Sequence, residues 1–328
     1  MSLPLLRSAT PYYTTHGGAA YLGDSVELMS QLDGASVDLI CTSPPFALLR
    51  QKGYGNVAAK EYVEWFRPFA EQFKRVLKPE GSLVIDLGGT WIKGAPYRSL
   101  YHYEFLLDLC RPMDEGGDFG FWLAQELYWY NPAKLPTPAE WVTIRRIRVK
   151  DAVNTVWWLR PSSVMDERGG KVSNRKVLRP YSAAQEHLMK HGYTPKLRPS
   201  EHAISDKFGT DNGGAIPPNL ISASNTSSND RYQRRCRELG IGAHPARFPK
   251  ALPEFIIGLT TDPGDLVLDP FAGSNTTGEV AQAMGRNYLA FESEKEYLEG
   301  SKFRFDELDE CSPQSEMSLP ATQEKLAL

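Results

Sequence analysis

An α/β fold built on a parallel sheet is what this sequence predicts, and three observations predict it. A short β-rich run, SVDLIC at residues 36–41, stops at TSPPF, where two successive prolines remove two backbone donors and must end the strand. A second buried run, SLVID at 82–86, ends in an acid, Asp86. Nearer the end of the chain, a strand at 266–269, a Gly-rich turn, a helix at about 277–284 and a strand at 287–291 form a β-turn-α-β unit of the nucleotide-binding kind. The expected architecture is a Rossmann-like sheet flanked by helices, with a loop-rich insertion.

The other elements follow from periodicity and punctuation. Residues 61–78 place Tyr62, Trp65, Phe66, Phe69, Phe73, Val76 and Leu77 at helical spacing, with Pro68 expected to perturb the helix. Pro79-Glu-Gly81 reads as a turn, 103–109 as a helix, and the aromatic run 121–130 ends at Asn131-Pro132. From about residue 150 to 240 there is little periodicity, and Gly, Pro, Ser and Asn are abundant, as in GTDNGGAIPPNLISASNTSSND at 209–230. A helix at 252–259 restores regular pattern. The expected parts are a catalytic part at 1–150, an inserted region at 151–240, a second ligand-binding part at 241–305 and a disordered tail at 306–328.

Composition narrows the class. With 328 residues, 41% hydrophobic and 23% charged, the chain can bury a large core as an ordinary globular protein. MSLPLLRSAT lacks the apolar length of a leader and no run could span a bilayer, so a cytoplasmic protein is expected. Cys41, Cys110, Cys236 and Cys311 show no C-x-x-C spacing, which argues against a disulfide scaffold or a zinc site; no metal is expected. The net charge of -3 hides an uneven distribution. Residues 144–179 hold ten Lys/Arg, among them Arg145, Arg146, Arg148, Lys150, Arg168, Arg175 and Lys176, against three acids. Arg231, Arg234, Arg235 and Arg237 form a second cluster. Such a region suits a phosphate-binding face; a solvated surface of uneven charge is the plainer reading.

Two constellations carry chemistry. In DPFAGSNTTG at 269–278, small residues between strand and helix let the backbone approach a ligand, and the helix start favours negative charge. Glu292, ending the next strand, stands where an acid can accept from ribose hydroxyls. The segment is neither G-x-G-x-x-G nor a P-loop, and alone it is equally a structural turn. In TSPPF the prolines fix a carbonyl and the Ser43 hydroxyl beside an aromatic ring, the parts needed to grip a planar amino-bearing ring. Acceptors there point at the N–H bonds and draw the nitrogen toward tetrahedral geometry.

TSPPF followed much later by DPFAGSNTTG resembles the β class of amino-methylating DNA methyltransferases, and the likeness runs over residues 20–305. YLGDSVELM, YGN, VLKPEGSLVIDLGG, YWYNPAKLP, IRVKDAVNTVWWL, DNGGAIPPNL and AHPARFP belong to it, in this order. The resemblance implies an S-adenosylmethionine-dependent methyltransferase sheet, with the catalytic motif ahead of the cofactor motif and a target-recognition region between them. It implies that Asp269, Phe271, Ala272, Gly273, Ser274 and Thr276 lie along the cofactor, that Phe291 and Glu292 hold its ribose end, and that Asp24 lies near the pocket. Ser43 and the Pro44 carbonyl, with Pro45 completing the motif, would accept from the target amino group while Phe46 stacks on a flipped base. Asp86 would stand behind Ser43 as a relay partner, His244 would close the cofactor site, and Trp129 and Asn131 would line the base pocket. For Trp129, core packing is an equal reading.

Arg145, Arg146, Arg148, Lys150, Arg175 and Lys176 are the expected contacts to double-stranded DNA, whose target base must leave the stack to be methylated. Within the family it resembles, Ser in place of Asp at the first motif position, here Ser43, goes with the cytosine N4 amino group; adenine N6 is the alternative. Cytosine C5 is disfavoured because no cysteine follows a proline. A protein-glutamine methyltransferase would have Asn first and the reverse motif order, and a non-catalytic DNA-binding protein would have lost one constellation. The resemblance further suggests a monomer that acts as the modification enzyme of a restriction-modification system on a palindrome such as CAGCTG, with a companion endonuclease.

Overall fold

The chain is organised on a mixed sheet in the order β1-β2-β9-β8-β3-β4-β6-β5-β7. The computed structural model describes residues 5–47, 57–163, 171–192, 210–225, 230–247 and 249–305. YGN at 54–56, Arg168, Phe248 and the tail expected from 306 onward lie outside the described residues. The strands are β1 (Tyr13–Thr15), β2 (Gly18–Leu22), β3 (Val37–Thr42), β4 (Leu77–Leu87), β5 (Trp122–Tyr130), β6 (Val153–Arg160), β7 (Leu220–Ser222), β8 (Leu266–Asp269) and β9 (Asn287–Glu292). From β2 through β9, β8 and β3 to β4 every neighbour is parallel. β6 joins β4 antiparallel and β5 joins β6 antiparallel.

Strict alternation along the central strands builds two cores, one on each face. Ile40, Leu83, Ile85, Leu268, Leu289 and Phe291 point to the first core, where α1 (Ser25–Ser30), α2 (Tyr62–Val76) and α3 (Tyr101–Cys110) pack. Leu39, Cys41, Val84, Val267, Tyr288 and Ala290 point to the second, under α6 (Ala251–Thr260), α7 (Thr276–Ala283) and α8 (Lys295–Ser301). Helices α4 (Ala183–His191) and α5 (Arg231–Glu238) complete the chain. Strands β3 and β8 meet at the centre, and the connections from them diverge: β3 leads through α2 to β4, and β8 leads through α7 to β9. That divergence opens a crevice at their carboxyl ends, the usual ligand site of such sheets. Among the described residues no helix is long and apolar enough to cross a membrane.

Three expectations need correction. Helix α2 runs unbroken through Pro68, because Pro68 and Glu64, whose carbonyl loses its intrahelical partner, both lie on the exposed face. Pro79-Glu-Gly81 is an irregularity inside β4: the register with β3 jumps from Val37↔Leu77 to Leu39↔Ser82. The stretch from 150 to 240 is less irregular than its composition indicates, since β6 is a full member of the sheet and β7 extends its edge. Buried polar residues in β6, Asn154 and Arg160, obscure its strand pattern.

At the amino ends of β3 and β8 a buried carboxylate ties four segments together. Asp38 accepts from Lys78 at 2.8 Å, from Lys171 at 2.5 Å and from the Leu266 backbone at 3.0 Å, while Lys171 also reaches Asp265. Burial opposes charge on Asp38, but the two ammonium groups and the backbone donor outweigh it and bring its pKa below the ordinary value. Replacing Asp38 by Ala is expected to cost roughly 3–5 kcal/mol of stability near neutral pH, measured by equilibrium urea unfolding. A lowered folded-state pKa gives stability that is present above the ordinary carboxylate range and lost on acidification. The wild-type advantage is therefore expected to shrink as pH falls through that lowered value.

Candidate active site

The crevice at the carboxyl ends of β3 and β8 is a cavity of about 930 Å³. On one side stands the end of β3, where Ser43, Pro44, Pro45 and Phe46 all line it. Parallel register sets Thr42 opposite Ile85, so Ser43 stands beside Asp86 on β4. The Ser43 hydroxyl lies 3.2 Å from the Asp86 backbone carbonyl and 3.3 Å from its Oδ2. Antiparallel β6 brings Asn154 to the other carboxylate oxygen, where its Nδ2 donates to Asp86 Oδ1 at 3.2 Å. Burial pushes the Asp86 carboxyl up to about 6, against the pull of Asn154, Ser43 and the Lys134 charge. This leaves an acid poised to exchange a proton near neutral pH. Phe46 packs against Gly88, just past β4, where a side chain would strike the ring. The Tyr101 hydroxyl donates to the Gly88 carbonyl beneath them.

The opposite wall is the turn between β8 and α7. Asn275 caps α7 from a left-handed conformation, its side chain accepting from the Gly278 backbone. Gly273 has φ +51° and its backbone N–H donates to Glu292 Oε2 at 2.7 Å; a Cβ there would stand 3.1 Å from the His244 ring. The Glu294 backbone N–H donates to the other oxygen, Glu292 Oε1, at 2.9 Å, so both oxygens are oriented at the end of β9. Burial raises the Glu292 pKa above its ordinary value. Phe271 turns into an aromatic cluster with Phe69 at 4.9 Å and Trp65 at 6.1 Å between centroids. His244 stands edge-on to Tyr297, and its backbone N–H donates to the Tyr232 hydroxyl.

Most of the residues singled out from the sequence meet here. Asp24, Phe271, Ala272, Gly273, Ser274, Thr276, Phe291, Glu292 and His244 line the cavity, as do Asp86, Trp129 and Asn131. Asp24 also caps α1, accepting from the Val26 and Glu27 backbones. Asp269 lies beneath the cavity, its pKa pushed up to about 6 by burial while it accepts from Thr277, Thr42 and the Phe271 backbone. Trp129 packs its buried ring in the second core and also lines the cavity. Its indole N–H donates to the Ala223 carbonyl.

The basic residues separate into two groups. Arg145 and Arg146 are exposed on the segment after β5; Arg145 pairs with Glu140 and stacks on Trp141, and Arg146 takes a left-handed conformation. Arg148 lies over the Trp91 ring, and Lys150 donates to the carbonyls of Pro132 and Lys134 at the cavity rim. Arg175 and Lys176 lie elsewhere. Lys176 pairs with Asp262 and donates to the Thr261 carbonyl, which puts this turn beside the amino end of β8, at the far end of the sheet from the cavity. Asn154, Lys134, Asn225 and Arg247 also line the cavity and were not singled out by sequence reasoning. Lys134 sits in YWYNPAKLP and Asn154 in IRVKDAVNTVWWL, so the signal was the motif itself.

A family model described as DNA methylase, of the N6/N4 type, matches residues 37–303. The chain belongs to this DNA methylase family. It is 50% identical over 298 residues to the Type II methyltransferase M.PvuII of Proteus hauseri, covering 90% of this chain and 85% of that one. It is 26% identical to the Type II methyltransferase M.BglII of Bacillus subtilis, over 87% of this chain and 68% of that one. The solved structure of PvuII DNA methyltransferase, cytosine-N4-specific, superposes with a TM-score of 0.71 at 45% identity, covering 91% of this chain and 89% of that one. An M1.HpyAVI–SAM complex shares the fold, with a TM-score of 0.50 at 22% identity over 88% of this chain and 98% of that one.

Gly273 gives a direct test of the turn. Gly273→Ala combines an unfavourable φ with crowding by the His244 ring and is expected to destabilise the protein by about 1–2 kcal/mol. Thermal unfolding should register the loss, and titration with S-adenosylmethionine should show weaker binding than in the unaltered chain.

Proposed function

We propose that this DNA methylase transfers a methyl group from S-adenosylmethionine to the N4 amino group of a cytosine flipped out of duplex DNA. The observation that carries this reading is Ser43 at hydrogen-bond reach of the buried Asp86, inside one cavity with Glu292 and the Gly273 turn. The 45–50% identity to cytosine-N4 and PvuII-type enzymes over nine-tenths of the chain supports cytosine N4 over adenine N6.

The residues present fit the cofactor. Glu292 offers oriented acceptors for ribose hydroxyls, Phe271 and Trp65 give an apolar wall, and Gly273 leaves open the space that a Cβ would fill. When bound, S-adenosylmethionine supplies a sulfonium methyl as the electrophile. The Ser43 hydroxyl and the Pro44 carbonyl accept from the target amino group and Phe46 offers a face for the ring. Held so, the amino nitrogen would face the sulfonium methyl with its lone pair freed to accept it, and these residues would contribute to the rate by fixing that orientation. The surplus N–H proton passes to Asp86, directly or over Ser43 Oγ, leaving a neutral buried acid.

Duplex DNA would lie across the cavity mouth, with Arg145 and Arg146 on phosphates and the region between β6 and α6 reading base edges. Arg175 and Lys176 are placed outside that contact in this reading, since Lys176 pairs with Asp262 beside the amino end of β8 and Arg175 is its neighbour in the same turn. We further infer a cytoplasmic monomer working as the modification half of a restriction-modification pair.

The reading is tested by incubating the protein with S-adenosylmethionine and mixed-sequence duplex DNA, digesting to nucleosides and identifying the methylated one by mass. N4-methylcytosine is expected; N6-methyladenine overturns the target base, and no methylated nucleoside overturns the reaction. Ser43→Ala is expected to lower single-turnover rate by roughly 10²–10⁴-fold while dissociation constants for DNA and cofactor stay unchanged. A wild-type rate in that variant removes Ser43 from the mechanism.

A further inference from the structure

Lys134 enters the same cavity from the loop after β5, and the mechanism above gives it no task. Its Nζ donates to Asn154 Oδ1 at 3.1 Å, Asn154 Nδ2 donates to Asp86 Oδ1 at 3.2 Å, and Ser43 Oγ stands 3.3 Å from Asp86 Oδ2. A continuous line of hydrogen bonds thus joins an ammonium group to the hydroxyl that faces the base. The amide in this line has a direction. Its oxygen can face only a donor and its nitrogen only an acceptor, so a cation on one side fixes Asn154 to present N–H to the carboxylate.

The loop that carries Lys134 is braced for this placement. The Lys134 backbone N–H donates to the Asn131 carbonyl at 3.2 Å and the Ala133 backbone to Asn131 Oδ1 at 3.1 Å. Lys150 caps the carbonyls of Pro132 and Lys134. The other titratable groups around Asp86 do not supply a counter-charge. Burial raises the pKa of Cys41 on β3 and of Tyr101 on α3, which keeps both neutral, and Arg98, before α3, pairs with Asp151 at 2.9 Å. Asp269, beyond Cys41, is a like charge. Among the described residues Lys134 is the cation that bears on Asp86.

We propose that Lys134 is a positioning residue for methyl transfer: acting through Asn154, it keeps Asp86 ionised and oriented to receive the proton that the target amino group gives up. This rests on the role assigned to Asp86 above. A carboxylate stripped of water needs such a partner, since a buried charge without one converts to its neutral form. A neutral Asp86 donates a hydrogen bond where it should accept, and the amino proton then has no destination. The electrostatic contribution of Lys134 lessens once the proton has arrived, so its effect is on how much of the enzyme holds the ionised carboxylate and not on the plateau rate.

The experiment is single-turnover methylation by the full chain, with saturating cofactor and target duplex, across the pH range in which the protein stays folded. In the wild type the rate rises with pH to a plateau as Asp86 ionises. Lys134→Met removes the charge and should move that acidic limb upward by about one unit, leaving the plateau rate within roughly three-fold, an effect worth about 0.7 kcal/mol. Lys134→Arg should leave the limb near its wild-type position. Asn154→Leu should move the limb as Lys134→Met does, and the double variant should move it no further, the signature of residues acting in series. A limb unmoved in Lys134→Met, with only the dissociation constant for DNA raised, makes Lys134 a DNA contact and overturns the proposal. A loss of rate equal at every pH, with a lowered melting temperature, makes it a structural lysine and overturns it too. Asp86→Asn separates the two levels: if it keeps the wild-type rate and limb, the Asp86 assignment itself fails, whereas a limb lost in Asp86→Asn but unmoved in Lys134→Met refutes only the role of Lys134.

Discussion

The join between β3 and β8 is the constraint on which the site depends, and a buried hydrogen-bonded carboxylate holds it. Asp269, only 3% exposed, accepts from Thr42 Oγ1 and Thr277 Oγ1, each at 2.7 Å, and from the Phe271 backbone at 3.1 Å. Thr42 is the last residue of the strand that carries the catalytic motif, and Thr277 is in the first turn of the helix behind the cofactor turn. One side chain therefore fixes two turns that are 227 residues apart in the chain. Hydrogen bonds to a charged group are worth roughly 1.5–3 kcal/mol each, and leaving such a group unpaired in the interior costs more. Asp269 is thus a support for the cavity and does not itself line it.

The two walls that this join brings together differ in chemistry for a physical reason. On the β3 and β4 side, Ser43, Asp86 and Asn154 form a polar line in which a proton can move. On the β8 and β9 side, backbone donors already occupy both oxygens of Glu292, so that carboxylate is fixed as an acceptor and has no role in proton transfer. Aromatic rings from α2 lie under Phe271 on the cofactor side. In the proposed reaction, proton chemistry and cofactor binding would thereby fall on separate strands.

The sequence made the local features legible and left the long-range ones obscure. TSPPF and DPFAGSNTTG could be read because prolines and small residues have fixed backbone meanings, and both lie where those meanings place them, at the ends of buried strands. The Ser43–Asp86 neighbourhood could be anticipated because each follows a buried run. Asn154 could not, since a single buried polar residue in an aromatic strand reads as a break in pattern until β6 is seen pairing with β4. Lys134 was hidden in a motif quoted only for resemblance. Arg175 and Lys176 show the opposite case. Charge counting put them on a phosphate face, but charge carries no information about which end of the sheet a turn packs against.

Ser43 and Asp86 are also mutually consistent in a way that neither shows alone. The hydroxyl of Ser43 lies 3.3 Å from Asp86 Oδ2, so an acid at position 43 would set two carboxylates side by side in a buried site. Like charges at that separation cannot both ionise, and one would take a proton and become a donor. A donor at position 43 would face the N–H bonds of the target amino group, where an acceptor is needed. A neutral hydroxyl avoids the conflict: in the proposed reaction it would accept from the amino group while its own proton points to Asp86 on the neighbouring strand. A serine at the loop is therefore compatible with the carboxylate on β4, whose surroundings Asn154 and Lys134 complete through hydrogen bonds.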